Sequence, residues 1–245
     1  KNILTEISLD SEITNIPRVR LAEIITEKLA EALLGGKILP GEKLPSEASI
    51  SESFKVSKPI AREALRMLDA AGLVTSSHGK HTRAKELNGE SLNRIFGWII
   101  RSKPKSLMEA NELRLAVETG ISRIAAEIRN PQGIDELGVS LDGMKDSLNN
   151  DLRGFVNYDV SFHKAIALCT GNKLIRFQIE GMEAILRGVS EVFSFRGVRK
   201  YDDWIKTVNR HECIASAINK GNAIEAEEAM RKHFLAADLV KIDLN

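Results

Sequence analysis

The sequence contains no run of about eighteen apolar residues, so it offers no candidate transmembrane helix. Residues Lys1 to Ile16 carry no apolar h-region of the signal-peptide type, and export is not expected. Cysteine is scarce. Cys169 and Cys213 both sit within helical apolar patterns and read as buried thiols of a reducing compartment, not as a disulfide framework. No internal repeat or low-complexity tract stands out, and no Ser or Cys nucleophile motif is evident. Net charge is nearly absent too, at +1. These absences point to an ordinary cytoplasmic globular protein with no membrane partner.

What is present is enough for two domains: 245 residues, at roughly 100–150 residues per domain. Hydrophobic residues make up 43% and charged residues 28%, which suffices for a sizeable core. The small net charge hides an asymmetry. From Phe54 to Lys85, seven basic residues (Lys55, Lys58, Arg62, Arg66, Lys80, Arg83 and Lys85) face two acidic ones, Glu63 and Asp69. A local basic patch on a near-neutral chain suggests an anionic partner with a defined footprint.

The pattern along the chain predicts a mainly α protein. Residues 1–15 lack periodicity and read as a flexible tail. Pro17 opens a helix with Val19, Leu21, Ile24, Ile25, Leu29 and Leu33 at helical spacing, ended by Gly35-Gly36. A turn-rich connector runs from Ile38 to Pro45. Ser46 is placed to cap a short helix through Phe54. Ser57 is placed to cap a second, with Pro59 in its first turn, Ile60, Ala64, Leu65 and Leu68 inward, and Gly72 beyond its end. Leu73 to Ala84 is β-like, with a tight centre at His78-Gly79-Lys80, and reads as a two-stranded wing. The expected organisation is a winged helix-turn-helix over 16–85, a linker helix over 86–105, and an antiparallel bundle of six or seven helices over 106–245. Breaks are expected at Lys103-Pro104, Asn130-Pro131, Gly171-Asn172, Gly197 and Gly221-Asn222.

Helix, connector, short helix, turn, helix and hairpin is the order of a winged helix-turn-helix, whose second paired helix lies in the DNA major groove. Its early residues, here Ser57, Lys58, Ile60, Ala61, Arg62 and Arg66, are the candidates to reach bases and phosphates. Lys58, Arg62 and Arg66 fall at i, i+4 and i+8 and share a face. His78, Gly79, Lys80 and Arg83 of the wing are candidates for the adjacent minor groove. The stretches Pro40-Gly41-Glu42-Lys43-Leu44-Pro45-Ser46-Glu47, Val56 to Leu65 and Gly72-Leu73-Val74 together resemble the GntR-family winged helix, and His78-Gly79-Lys80 resembles the wing of the FadR branch. Two positions depart from the family pattern: Ala48 and Lys58 stand where the family often has arginine, so a common family operator is not implied.

The bundle holds three of the five histidines: His163, His211 and His233. Asp159 and His163 are separated by one helical turn. His211 and His233 lie on two later helices, each eleven residues from Asn222, so an antiparallel hairpin sets them level. One carboxylate and three imidazoles suit a borderline divalent ion, zinc or nickel. The segments Glu112-Leu113-Arg114 with Glu118, Asp159 to Ile166, His211 to Ile218 and Ala226 to His233 resemble the FCD effector domain of FadR-branch regulators. That resemblance implies Asp159, His163, His211 and His233 as metal ligands. It also implies Arg114 as the partner of a small carboxylate effector, such as a sugar acid or hydroxy acid. Asn209 and Arg187 are candidates to line the pocket, and an Arg114–Glu118 salt bridge is the structural alternative for Arg114. The expected protein is a ligand-responsive homodimeric regulator, in the repressor mode, on a palindromic double-stranded operator. A regulator answering to the metal itself and a metal-dependent hydrolase are the alternatives. Trp98 and Phe96 are expected to pack on the bundle or a partner subunit, and Tyr201 with Trp204 to close the last hairpin.

Overall fold

The computed structural model describes residues 18–75, 81–103, 105–148, 151–196 and 200–236. Its contacts divide the chain into two compact units, Lys1–Ser91 and Leu92–Asn245.

The first unit holds α1 (Arg18–Leu34), α2 (Glu47–Ser53), α3 (Lys58–Ala70), β1 (Val74–Thr75) and β2 (Arg83–Ala84). Gly36, at φ +74°, lets the chain leave α1 in the left-handed conformation that closes a helix end. Ser46 caps α2 by accepting the Ser49 N–H at 3.1 Å. Ser57 occupies the N-cap of α3 but makes no side-chain cap bond. One apolar face from each helix meets in a common core of Ala22, Ile25 and Leu29, Ile50 and Phe54, and Ala61, Ala64 and Leu68. The wing strands are antiparallel, with Val74 opposite Ala84 and Thr75 opposite Arg83. The connector adds a bridge, Lys43 opposite Arg83, and the Leu44 N–H donates to the Thr82 carbonyl at 2.8 Å. The wing tip, including His78, Gly79 and Lys80, lies outside the described residues.

The second unit contains most of α4 (Glu90–Ser102), then α5 (Ser106–Ile128), α6 (Pro131–Ser147), α7 (Leu152–Cys169), α8 (Lys173–Gly181), α9 (Glu183–Glu191), a π turn (Val192–Arg196), α10 (Tyr201–Asn219) and α11 (Ala223–Leu235). Among the described residues seven α-helices follow residue 105, within the expected number. Two breaks were not expected. One precedes α7, where Asp151 caps by accepting the Gly154 N–H at 2.8 Å. The other is at Met182, directly after Gly181, where the backbone leaves the helical region at ψ 8°. The expected linker is divided: from Leu92 onward α4 belongs to the bundle's compact unit, with Phe96 and Ile100 against its core.

The α6–α7 pair is held close by glycine. A Cβ on Gly133 would sit 2.3 Å from the Cys169 nitrogen and 2.6 Å from its Cα, both backbone atoms that cannot yield. Gly133→Ala is therefore expected to destabilise the fold by about 2 kcal/mol or more. Thermal denaturation should show a melting point several degrees lower, and an unchanged one would contradict so tight a crossing.

Three side chains sit elsewhere than expected. Cys169 is buried, and loss of hydration pushes its thiol up to about 12, but Cys213 is exposed on the outer face of α10. Trp98 is 61% exposed within this chain, which leaves a partner subunit as the surface expected to cover it. Trp204 is buried, but against Phe155 of α7 in an edge-on contact at 4.8 Å, and Tyr201 is exposed.

Candidate functional site

The outer face of α3 carries Ser57, Lys58, Arg62 and Arg66, all exposed. Ile60 and Ala61, also candidates for base contact, are corrected: both are buried in the winged core and point away from that face. Arg62 is not free. Its Nε and Nη2 donate to the two carboxylate oxygens of Glu47, at 2.9 Å each. Arg83 is exposed, with its guanidinium donating to the Gly41 carbonyl at 2.6 Å.

In the bundle, α5, α7, α10 and α11 pack together, and each brings polar groups inward. α7 supplies Asp159 and His163, α10 supplies His211, and α11 supplies His233. One ring nitrogen from each histidine falls within 4.8 Å of the other two. The hairpin register behaves as the spacing implies, with the His211 and His233 rings 4.5 Å apart. Phe162 packs edge-on to His211 at 4.8 Å, and Phe234 lies against His233 at 5.1 Å, so the rings are walled by aromatics.

The ring orientations are defined by their surroundings. His211 Nδ1 lies 2.8 Å from the Thr207 carbonyl, which can only accept, so the proton sits on Nδ1 and the Nε2 lone pair is left inward. Nε2 is 3.0 Å from Asp159 Oδ1, yet in no hydrogen-bonding alignment. Two lone-pair-bearing atoms that close, aimed past each other, repel unless a cation lies between them. His163 Nε2 and His233 Nδ1 are likewise buried without a hydrogen-bond partner. Burial foremost, then the two neighbouring imidazoles, pushes His233 well below 6.5 and keeps it neutral, the form that binds metal. The donor set fits a divalent cation.

On α5, Asn111, Arg114 and Glu118 fall at i, i+3 and i+7 along one face. Glu118 is the joint between the two halves of the site. Its Oε1 accepts from Arg114 Nε at 2.7 Å, and its Oε2 touches His163 Nδ1. Burial raises the Glu118 pKa, but Arg114 and His163 prevail and hold it at about 2. The Arg114–Glu118 pair thus exists, and it does not exhaust Arg114. The guanidinium lies 5.0 Å over the Phe234 ring and its Nη2 is buried with no hydrogen-bond partner. The Asn111 Oδ1 is buried and unpartnered as well. Asn209 is corrected: it is exposed, because two residues along a helix is more than half a turn from His211. Arg187 is engaged by Asn157 at 2.8 Å and by Glu183. Among the described residues, no helix is long and apolar enough to cross a membrane.

A helix-turn-helix with exposed cations on its second helix, followed by a bundle with buried, unsatisfied polar groups, defines a ligand-responsive transcription regulator. The family model for bacterial regulatory proteins of the gntR family matches residues 21–83, and that for the FCD domain matches residues 109–236, more than half of the chain. The chain belongs to the GntR-family regulators that carry an FCD domain. It is similar to the HTH-type transcriptional regulator LutR of Bacillus subtilis, at 29% identity over 202 residues, covering 81% of this chain and 90% of that one. It is also similar to the HTH-type transcriptional repressor NanR of Escherichia coli K12, at 26% identity over 221 residues, covering 89% and 83%. A solved structure of Streptococcus agalactiae GntR shares the fold, with a TM-score of 0.71 at 21% identity over 88% of this chain and 98% of that one.

Proposed function

We propose that this regulator represses transcription from a palindromic operator as a homodimer in the cytoplasm, and that its bundle holds zinc or nickel together with a small organic acid, such as a sugar acid or hydroxy acid. The observation that carries the proposal is the convergence of two buried imidazoles, His163 and His211, and the half-buried His233 beside the Asp159 carboxylate, with a buried ring nitrogen on each that has no hydrogen-bond partner. Asp159, His163, His211 and His233 are the ligands. When bound, the ion supplies a positive centre on which a carboxylate can rest. The chain's own part is to orient and to exclude water. Thr207 sets the tautomer of His211, Glu118 bears on His163, and Phe162 and Phe234 wall the rings. Arg114 receives the effector carboxylate. A buried guanidinium nitrogen without an acceptor costs about 1–3 kcal/mol, and an arriving carboxylate removes that cost.

On the operator, Ser57, Lys58, Arg62 and Arg66 of α3 enter the major groove, and His78, Gly79 and Lys80 of the wing approach the minor groove. Effector binding alters the bundle's packing and, through α4, the separation of two winged units on their half-sites. A coupling of about 1–3 kcal/mol is enough to change occupancy five- to a hundredfold. The test is a thermal-shift screen of sugar acids, hydroxy acids and dicarboxylates on zinc-loaded and on chelator-treated protein. A true effector raises the melting point of loaded protein in a concentration-dependent way, and much less after chelation. A metal that raises stability while every acid gives equal, negligible shifts with and without it rejects the paired site. If zinc itself then changes operator affinity, the ion is the effector.

A further inference from the structure

We propose that Glu47 is a specificity-determining residue that never touches DNA: it holds Arg62 by one edge so that the opposite fork of the guanidinium reads a guanine. The inference rests on the reading of Arg62 as a base-contacting residue.

Arginine has two edges that can pair bidentately, one made by Nε and an Nη, the other by the two terminal nitrogens. Glu47 takes the first, through Nε and Nη2 at 2.9 Å each. The terminal fork is left open, and Arg62 remains 59% exposed on the face of α3 that the helix-turn-helix presents to the groove. Guanine offers N7 and O6 side by side in the major groove, and a guanidinium fork matches both. A long side chain already fixed in its reading posture loses less freedom on binding, and the loss is avoided only where the fork finds its two acceptors.

Glu47 is itself well placed to hold this posture. It begins α2, where the helix dipole favours a carboxylate, and Ser46 caps the turn beneath it. The Arg62 hydrogen bond, with Lys58 adding to it, keeps the carboxyl below its usual range, so it stays charged at neutral pH. Fifteen residues separate the two partners, so the pair ties α2 to α3 across the turn of the motif. An exposed pair of this kind adds little to stability, which leaves its orientation of Arg62 as its consequence. Lys58, a point charge with no fork, cannot supply the same readout.

The experiment uses the full chain and a randomised duplex library. Sequences enriched by the wild-type protein define a site. Affinities are then measured for that site, for every single-base replacement in it, and for a duplex without it. The proteins compared are wild type, Glu47→Gln, Arg62→Lys and the double variant. Arg62→Lys is expected to mark one G·C pair per half-site by erasing the penalty for replacing it. Glu47→Gln is expected to shrink the penalty at that same pair by about tenfold and leave the other positions alone. Affinity for the duplex without the site should hold or rise, because a negative charge has been removed. The double variant should behave as Arg62→Lys alone. Tighter binding of the selected site by Glu47→Gln with base preferences intact would mean the carboxylate only competes with DNA, and the proposal fails. Penalties that stay unchanged, or fall equally at every position, also overturn it. If Arg62→Lys alters no single position, the base-contact reading of Arg62 fails along with it.

Discussion

Zinc affinity falls by more than about a hundredfold when His211 is replaced by alanine, and the rise in melting point that zinc gives the parent protein disappears. The expectation follows from how firmly this ring is set. Its Nδ1 is committed to the Thr207 carbonyl at 2.8 Å, so its Nε2 has no role but to face Asp159 and the other two imidazoles. Loss of one ligand from a set of four leaves three groups on two helices and opens the centre to water. Isothermal titration of chelator-treated protein with zinc measures the affinity, and circular dichroism verifies that the variant folds. The same titration repeated at lower pH should show weaker binding by the parent protein, because protons compete for imidazoles that must be neutral to bind. Equal zinc affinity in parent and variant would falsify the four-ligand assignment.

Legibility differed from element to element for physical reasons. The caps and helix ends were readable because each is local: Ser46, Gly36 and Gly221 act within four residues of where they stand. The break at Met182 was missed although Gly181 stands just before it, because a lone glycine inside an apolar helical pattern is commonly tolerated and does not by itself mark an end. The break before α7 could have been read from Asn149-Asn150-Asp151, a polar cluster ending in a good cap. The His211–His233 approach was legible because a short helical hairpin fixes which residues stand level. Contacts between helices distant in sequence were not. Nothing in spacing says that Glu118 of α5 reaches His163 of α7, or that Glu47 reaches Arg62. A signal for Glu118 existed, since Asn111, Arg114 and Glu118 put three polar residues on the buried face of a helix that also buries Ile121 and Ala125. A buried polar stripe asks for partners. Asn209 failed for a simpler reason: nearness in sequence to a ligand does not give a shared face on a helix.

Arg114→Ala is expected to abolish effector binding, and it also removes the main countercharge of Glu118. The two consequences must be separated. In the parent protein Glu118 is buried, ionised and held between Arg114 and His163. Truncating Arg114 leaves that carboxylate short of a partner, and breaking a buried pair on one side typically costs about 3–5 kcal/mol. A melting point lowered by roughly 6–20 °C is therefore expected for the single variant. Arg114→Ala combined with Glu118→Gln removes both charges and should recover much of that loss, because a neutral amide is less costly to bury than an unpaired carboxylate. It should not recover the effector response. The buried Nη2 that awaits an acceptor is gone in both variants, so the organic acid that raises the melting point of zinc-loaded parent protein should shift neither. Zinc binding should survive in the double variant more fully than effector binding, since none of the four ligands has changed. A double variant that regains stability and responds to the acid as the parent does would leave Arg114 as a structural partner of Glu118 alone, and the carboxylate would have to be received elsewhere in the bundle.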